Sequence, residues 1–297
     1  MNAAAYWWVI TLMASFGQTL RNAMQRDLIG ALGAVGASQV RFLFGFPFAC
    51  IFVLIIAFAT GEPFPHLDAV SFGWAALGGV TQIAATALML AAMRSRSFVV
   101  VVAATKTEPA QVAIFALVVF GERPTPVLLG AIVLATVGVW LMSGVRGGGG
   151  WKPLAQGVVS ASFFAVAAIA FRAGVLSVPH ASFVMAASFV LVVGLGIQTA
   201  ILFVYLSVFD TQAVGKILAA WRPSLFAGFM GAFASQLWFI AFALSDAARV
   251  RTLALVEVIF AQVISQRVFK ERPSLPETIG MAMIVVAAAL LVSGMTG

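Results

Sequence analysis

The sequence predicts an all-α integral membrane protein of ten transmembrane helices, arranged as two inverted five-helix repeats. Three observations carry this. Of 297 residues, 62% are hydrophobic and 9% charged, with a mean hydropathy of +1.07. Soluble domains run near about 25% charged, so most of this chain's surface has lipid as its solvent. Apolar runs of spanning length recur from end to end. Two long stretches also say nearly the same thing: EPAQVAIFALVVFGERPTPVLLGAIVLATVGVWLMSG from Glu108, and EVIFAQVISQRVFKERPSLPETIGMAMIVVAAALLVSG from Glu257.

Crossing about 30 Å of hydrocarbon takes about 20 residues. The runs that meet this are 5–25, 33–59, 69–93, 98–120, 125–144, 153–176, 181–208, 222–244, 249–270 and 274–294. The first starts near Tyr6 with no basic segment before it, so it reads as a retained span and not as a cleaved signal. The second carries Arg41, in QVRFLFGFPF. The third holds Trp74 and the pair Thr81-Gln82, and the fourth holds Lys106 and Glu108. The fifth is short, with only Thr136 polar at depth, and is expected at the periphery together with the tenth. Residues 145–152, with Arg146 and the run Gly147–Gly150, have the composition of a flexible linker. They divide a first five-helix unit, 1–144, from a second, 153–297.

The second unit echoes the first. Ala161-Ser162-Phe163 matches Ala14-Ser15-Phe16, Ala181-Ser182 matches Ala37-Ser38, and Ser235-Gln236 matches Thr81-Gln82, with Trp238 close behind. Such dipeptides are cheap in Ala-rich helices. The distance from Glu108 to Glu122-Arg123-Pro124 is more telling, because it recurs from Glu257 to Glu271-Arg272-Pro273. An odd number of spans per unit forces the second to enter from the opposite side, which makes an inverted repeat, the common build of secondary carriers.

Net charge is +7, but the basic residues stand singly between apolar runs and form no face for nucleic acid. They set orientation instead. Connections after odd spans hold Arg21, Arg26, Arg94, Arg96, Arg146, Lys152, Lys216, Arg222, Arg267, Lys270 and Arg272; those after even spans hold Arg123, Arg172, Arg249 and Arg251. The richer side is expected in the cytoplasm, with both termini on the opposite, periplasmic side. The lone Cys50 can form no internal disulfide.

Lys106 and Glu108 fall near the middle of the fourth span, where a charge costs at least ~2.5–3.5 kcal/mol on insertion scales. Two residues apart, they face different directions. Pro109 cannot bond the carbonyl of Thr105 and is expected to kink the helix, opening a carbonyl to a ligand. The bland alternative is a neutral Glu at a packing kink with a snorkelling Lys. Glu257, the mate of Glu108, lies near Arg249 and Arg251 and reads as a structural ion pair. Arg41 suits a carboxylate through its planar fork, or a snorkelling role equally well. Gln18, Asn22, Gln82, Gln111, Gln236 and Gln262 are membrane-depth amides, mostly interhelical bonds with some lining the path. Trp7, Trp8, Trp151 and Trp221 read as interfacial belt; Trp74 and Trp238 offer flat walls or core packing. Enzyme signatures, a phosphate-binding loop and a metal cluster are not in the sequence; the two histidines, His66 and His180, fall in loops. No cofactor is expected.

Arg41-Phe42-Leu43, Glu108-Pro109, Gly121-Glu122-Arg123 with Gly130, and their second copies at Glu257 and Glu271-Arg272 with Gly280 resemble the drug/metabolite transporter superfamily, and within it the EamA-type ten-helix carriers. The second copy departs at Val258, where Pro is expected, and at Lys270, where Gly is expected. The resemblance implies export of small organic metabolites across a bacterial inner membrane by alternating access; among its members the chain is most similar to aromatic amino acid exporters. The expected partners are a small-molecule substrate and the bilayer, with proton coupling through Glu108 as one mechanism and a monomer or homodimer as the assembly. Multidrug or organic-cation export, sugar-phosphate or nucleotide-sugar exchange, and a channel or structural subunit are the alternatives. The expected substrate site joins Lys106 and Glu108 with Gln82, Gln236, Trp74, Trp238 and Arg41.

Overall fold

A computed structural model of the chain describes residues 6–95, 104–142, 151–260, 262–263 and 274–293, and these are helical with short connections. The expected linker up to Gly150 and the Glu271-Arg272-Pro273 motif lie outside the described residues, as do the side chains of Asn22, Arg26, Arg94, Trp151 and Lys152. In chain order the helices are α1 (Trp7–Thr60), α2 (Ala69–Ser95), α3 (Glu108–Phe120), α4 (Pro126–Met142), α5 (Trp151–Leu176), α6 (Phe183–Phe209), α7 (Thr211–Ala219), α8 (Trp221–Leu244), α9 (Ala247–Leu253) and α10 (Leu275–Ser293). A 3₁₀ turn, Ala254–Val256, follows α9, and 257–260 are helical again.

Six stretches are long and apolar enough to cross a bilayer: Ser38–Thr60, Ala69–Met89, Ala155–Leu176, Phe183–Phe209, Ser224–Leu244 and Leu275–Ser293. The chain is a multi-pass membrane protein. Its helices are apolar all round, because one face meets lipid and the other meets protein. Phe58, Val118 and Phe209 stand 94%, 76% and 73% exposed, which water would not tolerate and lipid does.

Helix α1 covers what the sequence reads as two spans. A straight helix of its 54 residues would run about 80 Å. Yet Gly17 lies against Met230, Phe233 and Ala234, and Gly45 against Gly228 and Ala232. Both ends of α1 meet the same two turns of α8, so α1 doubles back on itself and supplies two antiparallel arms.

Helices α5 and α8 form the centre, with 61% and 67% of their spanning windows buried, against 22% for α10 and for the second arm of α1. α2 lies along α5, and α10 lies along α4 at the rim. The α4–α10 contact is very close. A Cβ on Gly138 would stand 2.7 Å from the Gly280 carbonyl oxygen, so only small residues let these backbones meet. Gly130, the sequence counterpart of Gly280, has open space around it. The helices end where the sequence marks them: Gly61 and Gly121 adopt φ of 68° and 69° after α1 and α3, a conformation glycine reaches without penalty. Ser182, Asp210 and Asp246 cap α6, α7 and α9 through their side-chain oxygens.

Three expectations need correction. The stretch after Phe209, read as a plain connection, contains α7, a short amphipathic helix that buries Ala213 and Ile217 against Val40, Leu206 and Ala227 while Lys216 stays exposed. Trp7 is 1% exposed and belongs to the core, not to an interfacial belt. Arg172 and Arg251, counted in connections, lie inside α5 and α9; Arg249 lies in the first turn of α9. Helix starts set by the caps, which hydropathy alone does not locate, moved them.

Candidate functional site

The site begins with two interruptions in the helices. Residues 104–105 are helical, Lys106 and Thr107 form a turn, and α3 starts afresh at Glu108. Pro109 therefore sits in the first turn, where its missing N–H is of no consequence. The expected kink is a full break placed just before it. Thr107 steadies the turn by donating from Oγ1 to the Ala104 carbonyl (2.8 Å). In the second half the 3₁₀ turn Ala254–Val256 stands in the same place, and ordinary helix resumes at Glu257. Each repeat mate is thus the first residue of a half-helix, where the exposed N–H groups favour a carboxylate. α3 has 13 residues and ends at Gly121, so Glu108 stands about 20 Å along the helix from that end.

Across these breaks the two halves exchange charges. Glu108 accepts from Arg251 of α9 at 2.5 Å, and Lys106 forms an ion pair with Glu257. All four side chains are 16% exposed or less. Sequence reading gave Glu257 to Arg249 or Arg251. Instead Arg249 pairs with Asp246 at 3.2 Å, on its own helix. Gln18 of α1 ties the pairs together: its Nε2 donates to Glu257 Oε2 (2.7 Å) and its Oε1 accepts from Trp238 Nε1 (3.0 Å). The Arg251 guanidinium lies over the Trp238 ring, 5.1 Å from its centroid. Lys106, Glu257, Gln18, Trp238, Arg251 and Glu108 thus make a continuous polar chain linking both arms of the site.

Beside it stands a second basic layer. The Arg41 and Arg21 side chains converge on Gly231 of α8, and Arg21, Arg41 and Arg251 are within electrostatic reach of one another. Arg41 also lies over the Phe42 ring at 5.1 Å. Glu108 Oε1, Arg41 Nε and Arg251 Nε are buried without a hydrogen-bond partner, an arrangement that is rare unless water or a solute completes it.

Of the expected site residues, Lys106, Glu108 and Trp238 come together, and Arg41 joins them through Arg251. The others lie apart. Gln82 accepts from Gln198 Nε2 (2.7 Å), and Gln236 donates to Ser188 (2.8 Å). These are interhelical bonds of α2 to α6 and of α8 to α6. Trp74 packs on Phe120, at the far end of α3, and lines a cleft of about 230 Å³ with Glu122, Arg172 and Ser177. There Arg172 of α5 bridges Glu122 (2.6 Å) and the Ser245 carbonyl (3.2 Å), which ties the connections after α3 and α8. Glu62 accepting from the Ser182 N–H (3.0 Å) ties the connections after α1 and α5.

Sequence reasoning missed Arg251 as a site residue and overlooked Gln198 and Gln39, both 1% exposed. A signal for Arg251 exists. Asp246 followed by Ala247-Ala248 is an N-cap pattern, and it puts Arg251 on the second turn of an inserted helix.

Helices of spanning length with charged groups buried at helix breaks inside the bundle define a polytopic protein built around an internal polar site. Residues 3–144 match the model of the EamA-like transporter family. The whole chain shares its fold with a solved crystal structure whose description names no function: TM-score 0.71, 16% identity, covering 98% of this chain and 96% of the other. No curated protein matches the sequence.

Proposed function

We propose that the chain is a secondary carrier that exports small organic metabolites, amino acids first among them, across a bacterial inner membrane by alternating access. One observation supports this most: charged residues from both halves meet at paired helix breaks buried inside the bundle. Irregular backbone within a membrane is tolerated only where it is buried in protein or lines a cavity. In this reading ten passes form two inverted five-helix repeats, 1–144 and 153–297, that rock around the site. The cross-repeat pairs Lys106–Glu257 and Glu108–Arg251 then exchange partners with substrate as the repeats move. An amino acid brings a carboxylate for the basic groups of this site and an ammonium for Glu108 or Glu257. Trp238, stacked on Arg251, lies beside them.

The test is counterflow in liposomes with purified protein. Saturable uptake stimulated by internal unlabelled amino acid is expected. Unsaturable flux would make the protein a channel, and no flux for any solute would leave a structural subunit. Faster exchange of organic cations than of amino acids would favour multidrug export. If Glu108→Gln abolishes net export and acid pH does the same to the wild type, Glu108 carries a coupled proton.

A further inference from the structure

We propose that Arg41 is the seat for a substrate oxyanion, so that the site selects small solutes bearing a carboxylate or phosphate over neutral and cationic ones. The inference rests on the carrier reading for its cargo but not for its binding chemistry. Among the described residues, charge at this site is unbalanced. Lys106 and Arg251 are each matched by one carboxylate, Glu257 and Glu108. Arg41 lies within electrostatic reach of Arg251 and Arg21, yet among the described residues it has no ion-pair partner, and its Nε is buried without a hydrogen bond. Only the Phe42 face answers its charge. A guanidinium held in a helical bundle beside like charges is retained at a considerable cost unless an anion joins it.

The geometry also favours an oxyanion. The planar fork of Arg presents paired N–H groups that fit a carboxylate or phosphate bidentately. The Arg41 Nε is buried without a hydrogen bond, so the fork keeps a free N–H for an oxyanion. Gly231 lets the stems of Arg41 and Arg21 pack side by side against α8: a Cβ there would stand 3.3 Å from Arg41 Cγ and 3.4 Å from Arg21 Cδ. The Phe42 and Trp238 rings stack on Arg41 and Arg251, so the basic layer is bordered by buried aromatic side chains.

The experiment measures binding to the purified full chain by Trp fluorescence and thermal protection, with benzoate, benzamide, benzylamine and inorganic phosphate as probes. Benzoate is expected to bind, and benzamide and benzylamine to bind at least about tenfold more weakly. Arg41→Gln should weaken benzoate by about 10- to 100-fold, the loss of one charge-assisted contact, while Arg41→Lys restores part of it. Arg41→Gln without ligand should melt no lower than the wild type, because it removes an unmatched charge; this keeps a binding loss distinct from misfolding. Phosphate that competes with benzoate identifies phosphate-bearing solutes as cargo, and phosphate without effect identifies carboxylates. The proposal is overturned if benzylamine matches benzoate, if Arg41→Gln binds benzoate as the wild type does, or if none of the four probes binds. Benzoate binding without counterflow of any solute would instead sink the carrier reading and leave the anion seat standing.

Discussion

Lys106, on the turn that interrupts the first half of the chain, forms an ion pair with Glu257, the first residue after the 3₁₀ turn in the second half. The pair ties two interruptions together, so it bears on both folding and function. Removing one partner leaves a buried charge uncompensated. Lys106→Ala or Glu257→Gln alone should destabilise by about 3–5 kcal/mol, and the double substitution Lys106→Gln/Glu257→Gln by markedly less. A double-mutant cycle on melting in detergent checks this. Additive losses would show that the two side chains do not act as a pair.

Glu108 and Arg251 should behave differently under conservative change. Arg251→Lys keeps the charge but loses the planar fork and its stacking on Trp238. Transport is expected to fall about tenfold while the amount of folded protein in the membrane changes little. Counterflow rates normalised to protein amount measure it.

The tie between Arg172 and Glu122 closes one end of the bundle beside the Trp74 cleft. Glu122→Gln should loosen it. In a Cys50→Ala background, a cysteine at Ser177 should then react faster with a membrane-impermeant thiol reagent than the same cysteine beside an intact tie. Equal rates would make the ion pair a staple with no bearing on access.

Close approach of α4 and α10 depends on Gly138 and Gly280. Gly280→Ala drives a Cβ into the Gly138 carbonyl oxygen and should cost about 1–3 kcal/mol in melting experiments. Gly130→Ala, in open space, should be neutral or slightly stabilising.

Orientation can be read with a reporter active only outside the cytoplasm. It is expected to work after Gly297 and to fail within 145–152. The opposite result would show that the basic residues inside α1, α5 and α9 had distorted the charge count.

The sequence by itself determined a multi-pass membrane protein, the positions of the main apolar helices and Glu108 and Glu257 as counterparts in a repeated spacing, because hydropathy and a repeated spacing are local properties of a chain. It also carried the rim position of α4, which has no charge to bury. Only the tertiary structure decided who pairs with whom. Glu257 stands near Arg251 in sequence, yet Lys106 takes it and Arg251 crosses to Glu108, since helical direction after a break is set by packing between distant segments and not by spacing along one. Gln82, Gln236 and Trp74 show the same limit: each is polar or aromatic at membrane depth, as the site residues are. Their neighbours Gln198, Ser188 and Phe120 come from helices whose register one-dimensional pattern does not encode.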